Sequence, residues 1–365
     1  MKSRRVLIVL VILLSGCMQT YPINTPTSTT IHSNLSNMEQ TRLRDLGSGC
    51  PPNMQEEDLL LVEKGFRSEN YQEQQWAYLA IEKLAHCTNL LTQSYVESVF
   101  PQLLAETTST SENTSEFAVR AIGALSTHTN SLQPEQIIQA YDKAMHNLQS
   151  ENFEYRRRGV NLLNDLVHQL DNERQYEAIS LLLRLFEEWQ QENELEWNEY
   201  EKELAARGTA KERFQHQAIR AFLWNCKHIQ DNAQALTAYN YLTTTLENQE
   251  LDFRVLPSIA SLVDILPSQQ RDEAINLIVA SVSDVRSWYF VGSGIVQRVN
   301  YASDALFILA PVLNEIELQQ ALSAIELQEW DERESQVFEE TIKALEERLE
   351  EINGKTDQNH RGAVQ

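Results

Sequence analysis

The sequence predicts an all-α protein built as a solenoid of stacked helix pairs, and three observations carry that prediction. Apolar residues recur at intervals of three and four, as in Trp76, Leu79, Ala80 and Leu84 or Leu162, Leu163, Leu166 and Val167, with no alternating stretch of strand type. Between residues 55 and 351 the only glycines are Gly65, Gly123, Gly159, Gly208, Gly292 and Gly294, so helices run with few interruptions. A short pattern also returns along the chain, a small residue followed by an apolar one and a second apolar three later. It occurs at Ala80-Ile81-Leu84, Ala121-Ile122-Leu125, Gly159-Val160-Leu163, Ala218-Ile219-Phe222, Ser258-Ile259-Leu262 and Ala305-Leu306-Leu309, with offsets of 41, 38, 59, 40 and 47 residues.

Most of these offsets fall near the 40 to 47 residues of HEAT or armadillo units, whose paired helices bury a face only when stacked. The same pattern occurs between these positions, at Ala178-Ile179-Leu182, Ala274-Ile275-Ile278 and Ala321-Leu322-Ile325, where the first helices of pairs belong. The body is therefore read as a HEAT/armadillo-like α-solenoid over residues 54–353. An irregular helical bundle and an α/α barrel remain the alternatives. The 34-residue tetratricopeptide pattern is not present in order.

Taken from the start, the chain opens with Lys2, Arg4 and Arg5, the apolar run Val6 to Leu14, and Leu14-Ser15-Gly16-Cys17. Nine apolar residues are too few to span about 30 Å of hydrocarbon, but they match the core of an export signal. This segment resembles the signal and lipobox of bacterial lipoproteins. The resemblance implies removal of residues 1–16, lipidation of Cys17 and a lipid-anchored cell-envelope protein. Because Met18 is not the aspartate associated with inner-membrane retention in enteric lipoproteins, it favours the outer membrane of a Gram-negative bacterium. Residues 17–53, rich in Ser, Thr, Asn and Pro, then read as a flexible lipidated tether.

Helices are expected near residues 54–65 and 71–86, lying antiparallel. That arrangement returns Cys87 to the end where Cys50 enters, and in an exported chain it predicts a Cys50–Cys87 disulfide. Pro134 with Glu135 opens a further helix, and Pro267-Ser268 precedes one over 269–285. Arg156-Arg157-Arg158 covers most of a helical turn and reads as pairing with acidic neighbours. Cys226 continues the stripe Ile219, Phe222, Leu223 and reads as a buried small hydrophobe.

A long helix is expected from about 173 to 206, with Trp189, Trp197 and Tyr200 on its apolar stripe as candidate partner-binding residues. A second irregularity, from Ser287 to Gly294, places Trp288 and Tyr289 beside Arg286 and Arg298 as a candidate pocket. Residues 354–365 read as a disordered tail.

The formal charge of −23 becomes −26 once Lys2, Arg4 and Arg5 are removed, which disfavours nucleic acid and leaves membrane attachment to the acyl chains. The eight histidines are dispersed, and no His-Glu-x-x-His, paired Cys/His spacing or Gly-x-Ser-x-Gly is present. No cofactor, metal or catalytic residue is assigned. The expected function is non-enzymatic binding or scaffolding of another envelope or secreted protein, with an envelope carbohydrate-active enzyme of α/α-barrel type as the alternative.

Overall fold

The structure, a computed structural model, describes residues 35–49, 51, 53–87, 91–127, 132–192, 208–248, 253–284 and 294–362. Among them are fifteen α-helices, five short 3-10 turns and no strand. The first eight helices are α1 (Asn37–Ser48), α2 (Glu56–Phe66), α3 (Tyr71–Cys87), α4 (Gln93–Glu106), α5 (Glu112–Thr127), α6 (Pro134–Leu148), α7 (Phe153–Leu166) and α8 (Asn172–Glu192). The remaining seven are α9 (Ala210–Asn225), α10 (Asn232–Asn248), α11 (Leu256–Leu262), α12 (Ser268–Asp284), α13 (Gly294–Leu309), α14 (Glu315–Glu326) and α15 (Glu332–Gly362).

The helices form two layers. Odd-numbered helices pack side by side from α1 to α15, with α9 reaching α11 through the turn that follows it. Each even-numbered helix lies on the odd helix that succeeds it, from α2 on α3 to α14 on α15. Even helices meet one another far less, and only α4 with α6, α8 with α10 and α12 with α14 do so appreciably. Among the described residues the first and last helices form no extensive contact, so the stack is open. The open, regularly layered stack is that of a solenoid-like helical repeat and not of a closed barrel.

The recurring pattern lies at the heart of this packing. All six of its main occurrences fall on the odd helices α3, α5, α7, α9, α11 and α13, and the three interleaved ones fall on α8, α12 and α14. Ile81, Ile122, Val160, Ile219, Ile259 and Leu306 are buried, as are Leu84, Leu125, Leu163, Phe222, Leu262 and Leu309. The small residue lets a neighbouring backbone approach. At Gly159 an added Cβ would sit 2.7 Å from the Ala144 carbonyl oxygen of α6, closer than real side chains come. The buried apolar side chains join into one continuous core running from Leu35 to Leu345.

The connections from odd to even helices repeat a single device. The helices α7, α9, α11 and α13 each tighten into a 3-10 turn, at Val167–Gln169, Cys226–His228, Val263–Ile265 and Ala310–Val312. A buried Leu170, Ile229, Leu266 or Leu313 follows each turn and plugs the space between successive pairs. Four of the chain's helix pairs are closed in this way along one edge of the stack.

Two expected boundaries move. The region 17–53 is not tether throughout, because Ser36 and Glu39 form a capping box that starts α1. Leu43 and Leu46 then bury that helix against α3. At the other end, α15 continues to Gly362, where a disordered tail was expected from 354. Pro101 does not break α4; it sits within the helix at an exposed position, where the missing N–H leaves the ladder locally open to water. The predicted start at Pro134 is that of α6, and the helix expected over 269–285 is α12, which begins and ends one residue earlier.

Candidate functional site

The ends of α5, α7 and α9 bring together a polar and aromatic surface along the edge formed by the odd-to-even turns. Trp224, near the end of α9, is 65% exposed, and the Lys227 ammonium lies 4.2 Å above its ring. Trp224 lies between Leu223 and the buried Cys226, pointing away from the stripe of Ile219 and Phe222. The next turn presents His228, whose ring lies 6.5 Å from that of His168 on the preceding turn. Burial lowers the pKa of each imidazole, and the positive charge of Lys227 lowers it further, so these rings favour the neutral form.

Behind the rings runs a hydrogen-bonded chain. The Asn225 amide donates to Asn164 Oδ1 at 2.9 Å, and the Asn164 amide donates to Asp165 Oδ1 at 3.0 Å. Burial pushes the Asp165 carboxyl up to about 6. Gly123 on α5 makes room for it, since a Cβ there would collide with the Asp165 carboxylate. The Ser126 hydroxyl donates to the Asp165 backbone carbonyl at 3.1 Å and is itself buried. Beside His228, a cavity of about 260 Å³ opens between α8 and α10, lined by Gln175, Tyr176, Asp231 and Gln234. Tyr176 is 51% exposed at its rim.

An ion-pair ladder crosses the neighbouring odd helices. Glu82 binds Arg120 at 2.8 Å, Arg157 joins Glu116 at 3.1 Å to Glu154 at 2.9 Å, and Glu154 continues to Arg213 at 2.7 Å. Of the arginine triplet, only Arg157 forms an ion pair with acidic neighbours among the described residues. Arg156 lies between the rings of Phe153, at 5.3 Å, and Phe214, at 4.2 Å. Arg158 is buried, and one of its terminal nitrogens donates to the Ser109 carbonyl at 3.2 Å.

The residues singled out from sequence fare differently. Trp189 is not an exposed contact: it is fully buried, stacked on Phe186 with ring centroids 6.1 Å apart, and Phe186 stacks on Phe222. The helix α8 buries its aromatic stripe against α9 because that is the stripe's closest apolar partner. Cys226 is buried, and burial raises its thiol pKa. Cys17, Cys50, Trp197, Tyr200, Arg286, Trp288 and Tyr289 lie outside the described residues, as do the side chains of Cys87 and Arg298. Sequence reasoning missed Trp224, whose signal was an aromatic placed off the apolar stripe and followed by Lys227 and His228.

Among the described residues no helix is long and apolar enough to cross a membrane, and no three His, Cys, Asp or Glu side chains converge as metal ligands. No protein-family model matches the chain, and no curated protein matches it. Among solved structures, it is similar to an engineered protein from the Northeast Structural Genomics Consortium at 16% identity and a TM-score of 0.39. That match covers 83% of this chain and 72% of the other.

Proposed function

We propose that the chain is a lipid-anchored protein of the bacterial cell envelope that binds another envelope or secreted protein without catalysing a reaction. The signal-like residues 1–16 and Cys17 support export and lipidation, with the outer membrane as the site of attachment. The nineteen residues between Cys17 and α1 give the body reach from the bilayer surface. An anionic body cannot add electrostatic attraction to acidic headgroups, so the acyl chains supply the attachment.

The observation that carries the binding role is Trp224, a large exposed aromatic with a cation over its face, set on a rigid open stack. Such a residue supplies contact area at low entropic cost, and a fixed scaffold spares the ordering penalty of association.

Two experiments test the proposal. Metabolic palmitate labelling is expected to mark the wild type and leave Cys17→Ser unmarked; an unlabelled wild type retaining its leader would refute the anchor. Crosslinking in intact envelopes is expected to give an adduct that Trp224→Ala loses while the variant keeps its thermal midpoint. Retention of the same adduct by Trp224→Ala would refute the contact surface.

A further inference from the structure

Among the described residues, twelve Lys and Arg side chains are matched with carboxylates. Arg42 binds Asp58 at 2.6 Å, Lys64 binds Glu39 at 2.8 Å and Arg271 binds Glu317 at 2.9 Å. Lys143 and Arg158, where α4 and α6 turn into α5 and α7, have no such match, and neither has Arg156. Lys143 donates only to the Thr108 hydroxyl, at 3.2 Å. Arg158 donates to the Ser109 carbonyl and lies 5.1 Å from the Tyr155 ring. Neither forms an ion pair with a carboxylate among the described residues, and burial alone lowers the Lys143 pKa.

Lys143 opens onto a cavity of about 540 Å³, lined also by Thr108, His146, Asn147, Ser150 and Tyr155. None of its lining residues is Asp or Glu, in a chain that carries 53 of them. Asn147, one helical turn beyond Lys143 on α6, is 1% exposed, and its amide nitrogen has no acceptor. A half-buried ammonium without a counter-ion and a buried amide without an acceptor each cost free energy. A bound anion offsets both costs at once. The volume exceeds that of a bare inorganic ion, so there is room for an organic body as well.

We propose that this cavity binds a small solute bearing an oxyanion, a phosphate monoester or a carboxylate. Lys143 supplies the charge, Asn147 the donor at the floor, and the hydroxyls of Thr108, Ser150 and Tyr155 line the rim. The site is independent of the membrane anchor and lies at the opposite edge from Trp224.

The test is calorimetric titration of the full-length lipidated chain in detergent with methyl phosphate and, separately, acetate, each against sodium chloride at equal ionic strength. Saturable one-to-one binding of at least one oxyanion is expected, and the tighter of the two identifies the headgroup. Lys143→Gln is expected to weaken it about tenfold or more, Lys143→Arg to retain it, and Lys64→Gln to leave it unchanged. His146→Glu, at an exposed position beside Lys143, is expected to abolish binding in a folded chain, which keeps the test decisive even if Lys143→Gln fails to fold. Heats no greater than those of chloride with either oxyanion would overturn the site. So would unchanged affinity in Lys143→Gln or His146→Glu, which would mean that Lys143 serves only the end of α4.

Discussion

The two edges of the stack are built differently, although both consist of connections between the same fifteen helices. Along one edge, four successive odd helices end in a 3-10 turn and a buried Leu or Ile. Along the other, the described links from even to odd helices, at residues 67–70, 107–111, 149–152 and 327–331, hold no 3-10 turn and no buried Leu or Ile. The uniform edge seals the core between neighbouring pairs, so each turn must place an apolar plug at the same depth. The other, variable edge has no such plug, and loop closure grows costlier only slowly with length, so it accepts insertions. A stack of this kind can therefore vary its chemistry along one edge while holding its geometry along the other.

The strongest way to break this comparison is to damage the repeat that both edges share. Leu163→Ala in α7 removes a fully buried side chain of the recurring pattern and is expected to cost about 2–5 kcal/mol by chemical denaturation. At the uniform edge, Leu313→Ala, which unplugs the turn after α13, is expected to cost about 2–3 kcal/mol. An equally large loss from Gln149→Ala, exposed at the variable edge, would contradict the distinction. Gly123→Ala drives a methyl group into the Asp165 carboxylate and is expected to destabilise by about 1–3 kcal/mol.

Asp165 sharpens the comparison through pH. Its carboxyl is raised to about 6 in the folded chain from an ordinary value near 3.8, so the native state holds this proton where the unfolded state has released it. Stability from this group is fully present below about pH 4 and is lost as pH rises through about 6. Asp165→Asn is expected to remove that slope and to gain about 2 kcal/mol near pH 7, read from unfolding curves at pH 5 and pH 7.5. The smallest effect belongs to Trp224→Ala, which is expected to change stability by no more than about 0.5 kcal/mol because the ring covers no core.

Much of this architecture was legible in the chain. The pattern from Ala80-Ile81-Leu84 to Ala305-Leu306-Leu309 marks the odd helices because close packing on two sides demands a small residue beside two apolar ones. The first helix was hidden because Leu43 and Leu46 sit in a segment that continues the polar composition of the preceding residues, and only packing on α3 reveals their burial. Trp189 was misassigned because an aromatic on an acidic helix reads alike whether the stripe meets a partner or a neighbouring helix. The cavity at Lys143 could not be read at all, since Thr108, Lys143 and Tyr155 come from three separate chain segments. What marks them is a missing counter-ion, which has no sequence signature.

The most direct test of the account replaces single residues at the two edges with a photoreactive amino acid and irradiates intact cells. A probe at position 224 is expected to give one discrete protein adduct, while a probe at position 149 on the opposite edge gives none. Adducts from position 149 with none from position 224 would contradict the assignment of the uniform edge as the partner-binding surface.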